Sequence, residues 1–75
     1  MRKEFCTKDD ILITYDSDTV SFENIKSADA ILISNAGKII HSNFSDEKNS
    51  FFITYFNKIY PAIISCRNLD NLEIA

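Results

Sequence analysis

Ala30-Ile31-Leu32-Ile33-Ser34-Asn35-Ala36-Gly37-Lys38-Ile39-Ile40-His41-Ser42 is the stretch whose reading decides the fold. An apolar, β-branched run leads into Asn-Ala-Gly, and a second such run leads out. Three-residue hairpin loops take a type I turn followed by one residue in the left-handed region. Gly37, the only glycine in the chain, falls at that position, where a missing Cβ removes the steric penalty. The stretch predicts a β-hairpin of Ala30–Ser34 and Lys38–Ser42.

Upstream, Ile11-Leu12-Ile13-Thr14-Tyr15 and Thr19-Val20-Ser21-Phe22-Glu23 flank Asp16-Ser17-Asp18, which predicts a second hairpin around a polar turn. Downstream, Ser45 is an N-cap residue, and Asp46 and Glu47 bring negative charge to the first turn of a helix. Phe52, Phe56 and Ile59 recur at helical spacing as its core-facing stripe. Pro61 disfavours helical geometry in the residue before it, so the helix is expected to end near Ile59. Ala62–Cys66 then reads as a buried strand, Arg67–Asn71 as a loop and Leu72–Ile74 as a short last strand. The expected architecture is α+β, an antiparallel β-sheet built from hairpins (β-β-β-β-α-β-β) with one helix packed on one face.

Length and composition set the outer limits. Seventy-five residues suit a single domain, 1–75, and a chain that short buries only about 60 % of its unfolded surface. Hydrophobic residues at 45 % and aromatics at 12 % rule out disorder as the default state. The net charge is −3, and the eight basic residues are scattered beyond the first three positions, with no basic stripe for nucleic acid. No apolar run approaches the roughly 18 residues of a membrane span. The N-terminus lacks the apolar segment of a signal peptide. Cys6 and Cys66 make a poor framework for a secreted mini-protein, so a cytoplasmic protein with free thiols is expected.

Chemistry-bearing motifs are sparse. His41 is the lone histidine and has no partner nearby in sequence, as base catalysis requires. On an alternating strand it would share a face with Ile39 and Asn43. Cys6, His41 and Cys66 have no zinc-site spacing. Asp16-Ser17-Asp18 opens like a calcium loop, but Val20 occupies the fifth position and no glycine stands at the sixth. A single glycine leaves no phosphate-cradling loop. The sequence therefore predicts no enzyme, cofactor, metal or small-molecule substrate.

The aromatic cluster Phe51, Phe52, Tyr55, Phe56 and Tyr60 exceeds what one helix can point at one sheet. Phe52 and Phe56 are assigned to the core. Phe51, Tyr55 and Tyr60 are the candidate partner-binding residues, because aromatic side chains are enriched at interface centres.

From Asp29 onward the chain also resembles the roadblock/LC7-like family. The Ala30–Ile40 hairpin with its Asn-Ala-Gly turn looks like that family's first hairpin, Ser45–Ile59 like its dimerisation helix, and Ala62–Ile74 like its following strands. Residues before Asp29 depart from it, showing strands where the family opens with a helix. The resemblance implies a homodimer or accessory subunit, a scaffold without catalysis of its own. The alternative is a compact inhibitor, of immunity or anti-defence type, that binds a basic target surface.

Overall fold

The computed structural model describes the backbone of residues 2–74 and the side chains of residues 2–70. Five strands precede one helix: β1 (Lys3–Lys8), β2 (Ile11–Tyr15), β3 (Thr19–Asn24), β4 (Ala30–Ser34), β5 (Ile39–Ser42) and α1 (Asp46–Ile74). The strands lie side by side in chain order, every neighbouring pair antiparallel. The α+β class is thus as the sequence predicts, with a hairpin-built antiparallel sheet and one helix on one face.

Turn chemistry sets each reversal. Asp9 and Asp10 join β1 to β2 with φ of 51° and 66°, the left-handed pair of a type I′ turn, which short acidic side chains tolerate. Between β2 and β3, Asp16 Oδ1 accepts the backbone N–H groups of Asp18 at 2.9 Å and Thr19 at 2.7 Å. Asn24 Oδ1 does the same for Lys26 and Ser27 ahead of β4. Gly37 has a φ of 82°, and its N–H donates to the Ser34 carbonyl at 2.9 Å, as the hairpin reading requires.

One face of the sheet carries the core. Ile13, Tyr15, Val20, Phe22, Ile31 and Ile33 alternate along β2, β3 and β4 and are buried under Phe52, Phe56 and Ile63 of the helix. Leu12, Thr14, Ser21 and Leu32 form the other face of the same rungs.

Three expectations are corrected. The helix does not end near Ile59: it passes through Pro61 to Ile74, so neither Ala62–Cys66 nor Leu72–Ile74 is a strand. A proline inside a helix costs about 3 kcal/mol relative to alanine. Here the turns beyond it bury Ile63 completely and bring Arg67 and Asp70 onto the sheet, and these contacts offset that cost. Second, Lys3–Lys8 forms a strand, although its six residues lack apolar alternation. It pairs along β2, with a bulge between Glu4 and Cys6. Third, a bulge at Ile40 breaks the alternation of β5, so Ile39 pairs with buried Ile33 while His41 pairs with Leu32 on the uncovered face.

Candidate functional site

At the end of the sheet where α1 begins, helix and sheet do not close completely. Ser45 caps the helix, its hydroxyl accepting the Lys48 N–H at 3.3 Å. The Ser42 hydroxyl donates to Asn49 Oδ1 at 2.6 Å and ties the first turns to β5. This anchoring turns the opposite flank of the helix, with Phe51 and Tyr55, towards the β1–β2 hairpin. Between them lies a cavity of about 300 Å³. Ile11, Ile13 and Phe22 wall it from the sheet and Phe51, Phe52 and Tyr55 from the helix, with Lys8 and Asp9 beside them.

The aromatic side of this wall is ordered by ring packing. Phe22 meets Tyr55 edge-on with centroids 5.8 Å apart, and Phe52 lies 5.2 Å from Phe22 and 4.8 Å from Phe44. Phe51 packs edge-on to Phe52 at 5.3 Å, yet remains 61 % exposed. Ile25 is also exposed at this end of the sheet, where its N–H donates to the Asp10 carbonyl at 2.9 Å. Charged groups stand around the apolar surface: Lys8 and Asp9 are exposed, and Lys26 pairs with Asp10 at 3.3 Å. That pair is largely solvated and contributes little stability.

Tyr60 is elsewhere. Its ring lies 4.9 Å from Phe56, and the Arg67 guanidinium stands 5.7 Å from the ring centroid. Arg67 Nε also donates to the Asp16 carbonyl at 2.9 Å, so Tyr60 and Arg67 clamp the helix to the β2–β3 turn. Of the three candidate partner-binding residues, the structure brings Phe51 and Tyr55 together and puts Tyr60 in this clamp.

The polar groups near the clamp satisfy one another. Burial pulls the Asp16 carboxyl upward. The opposing hydrogen bonds from Asp18 and Thr19, with the positive charge of Arg2 at 2.9 Å, nonetheless hold it below the usual carboxylate range. Burial, helped by the bond to Asp70, pushes the Tyr15 phenol up to about 12. Asp70 is held low by the hydrogen bond from Tyr15 and by Lys3 at 3.1 Å. Tyr15, Lys3 and Asp70 hold α1 to the sheet, and the Asp16 carboxyl holds the β2–β3 turn and Arg2.

Lys8, Asp9 and Ile11 were not candidates from sequence. Their signal is the Asp9-Asp10 pair, a two-residue turn that folds β1 back and brings its last residue beside the cavity. Among the described residues, no three of His, Cys, Asp and Glu converge as metal ligands, and His41 is exposed on β5. No described helix is long and apolar enough to cross a membrane. No family model, curated protein or solved structure matches this chain.

Proposed function

We propose that this chain is a non-catalytic protein-interaction module, acting as a homodimer or as an accessory subunit, with its contact surface centred on Phe51 and Tyr55. The observation that carries this reading is a largely exposed Phe51 beside an apolar cavity of about 300 Å³. A cavity of that size and lining accepts an apolar side chain, and the exposed ring extends the contact outward. Apolar centres with polar rims are the usual build of such surfaces. The resemblance of the Ala30–Ile40 hairpin and Ser45–Ile59 to roadblock/LC7-like domains agrees with an assembly role in the cytoplasm, while Ala62–Ile74, matched to that family's strands, is helical here.

The test compares wild-type protein with Phe51→Ser. Both are used for affinity purification from the native source with mass spectrometry, and for light scattering after size exclusion. The variant is expected to keep its circular dichroism spectrum and to lose the partner or second copy. Retention of the same complex by the variant would sink the proposal. The inhibitor reading, which draws on exposed Asp9, Asp18 and Glu23, predicts instead a basic partner whose affinity falls steeply with salt.

A further inference from the structure

The cavity between α1 and the β1–β2 hairpin stands beside an exposed phenyl ring, and each has the shape that the other lacks. An apolar cavity of about 150 Å³ is large enough to hold benzene. This one, at about 300 Å³, has room for a phenyl ring while Phe51 stays in its own wall. Phe51 is also the most exposed large apolar side chain among the described residues, and the one aromatic ring so exposed. A patch with knob and hole together is self-complementary. In a twofold pair the same patch serves both copies, so whatever one copy inserts it also receives.

Charge around the cavity suits a second copy. The hairpin wall carries Lys8 and Asp9. On the helix wall, Glu47 and Lys48 lie one turn before Phe51, and Lys58 lies one turn after Tyr55, all exposed. Both walls thus hold both signs, and the helix wall of one copy meets no single-sign surface on the hairpin wall of the next. Other routes to self-association are guarded. The edge strand β1 carries Lys3, Glu4 and Lys8 and is bulged, while β5 has four residues and is bulged at Ile40. Charged, short or bulged edges resist strand pairing. On the uncovered face, the rung Glu4–Thr14–Ser21–Leu32–His41 offers one large apolar residue.

We propose that the occupant of the cavity is Phe51 of a second copy of this chain, in a twofold dimer with two reciprocal ring-in-cavity contacts. The inference rests on the contact surface proposed above and names what covers it. An axis through the cavity mouth sets the helix wall of one copy over the hairpin wall of the other. Each Phe51 then reaches the partner's Ile11 and Ile13, and the two rings pass each other close to the axis. One ring per copy is a small contact beside the roughly 800 Å² per partner of a stable interface, so the dimer exchanges, with a Kd of about 10–100 µM.

The test uses two variants that each lack one half of the contact. Phe51→Ser removes the ring and keeps the cavity, whereas Ile11→Trp fills the cavity and keeps the ring. In sedimentation equilibrium up to about 1 mM, wild type should approach the mass of a dimer and each variant alone should stay a monomer. An equimolar mixture of the two should associate again, about tenfold more weakly than wild type, because one ring-in-cavity contact is restored. A second measurement needs no variant. In a mixture of isotope-labelled and unlabelled wild type, the Phe51 ring protons of one copy should show nuclear Overhauser effects to the Ile11 and Ile13 methyl groups of the other. A wild type that stays monomeric, a dimer without those effects, undiminished association of Phe51→Ser, or a mixture of folded variants that stays monomeric would each overturn the proposal. If wild type is monomeric yet captures another protein that Phe51→Ser loses, the contact surface stands and its occupant is not a second copy.

Discussion

The Tyr15 hydroxyl donates to Asp70 Oδ2 at 2.8 Å, joining the second strand to the distal part of the helix across 55 positions of sequence. Burial, then this bond, raise the phenol to about 12. A group whose folded pKa lies above its unfolded value stabilises fully below the unfolded value and loses that contribution as pH rises to the folded one. Stability should therefore fall between about pH 10 and 12, by about 2–3 kcal/mol from this group. Urea titrations across that range should show a smaller fall in Tyr15→Phe. Asp16 and Asp70 are shifted downward, so their contribution is present above about pH 4 and is lost as pH drops through their folded values.

Gly37 has a φ of 82°, and an added Cβ would meet Phe56 no closer than 3.9 Å. A Cβ itself fits, so the cost that any substitution must bear is conformational. Gly37→Val should destabilise the fold by more than about 1 kcal/mol in equilibrium urea denaturation. An unchanged midpoint would contradict the turn.

Ala28 has a φ of 64° and poses the opposite case. It is exposed and carries a Cβ in the left-handed region, held there by Asn24 and Asp29 on either side. Ala28→Gly should leave the fold unchanged and raise stability by about 0.5–1 kcal/mol, read as a higher urea midpoint.

Ile63 is fully buried and Ile64 is 41 % exposed. On a helix these neighbours differ sharply, whereas on a strand buried on both faces they would not. Ile63→Ala should cost about 2–5 kcal/mol, and Ile64→Ala less than about 0.5 kcal/mol. Pro61→Ala restores a backbone donor on the exposed side of the helix and should raise the melting temperature. Comparable losses for both isoleucines would contradict a continuous helix.

The parts of this fold legible in sequence are those decided within a few residues. Ala30–Ser34 and Ile11–Tyr15 carry apolar β-branched residues over a full strand, and Gly37 and Asp16 have the chemistry of their own turns. Ser45 and Asp46 likewise mark the start of the helix. The aromatic surplus on α1 already singled out Phe51 and Tyr55, since five large rings exceed one helix face. Their separation from Tyr60 depended on Arg67, whose reach to the Asp16 carbonyl no spacing rule anticipates.

Local chemistry thus determined the strands β2 to β4, their reversals and the helix start, because each is specified by side chains acting on their own backbone. Tertiary structure decided the two ends of the chain. Lys3–Lys8 has no alternation of its own and becomes a strand by pairing with β2. Pro61 weakens the helix locally, but Ile63, Arg67 and Asp70 each find the sheet only if the helix continues. Burial of one isoleucine and the hydrogen bonds of two charged side chains outweigh one missing backbone bond, and that balance exists only once the sheet is in place.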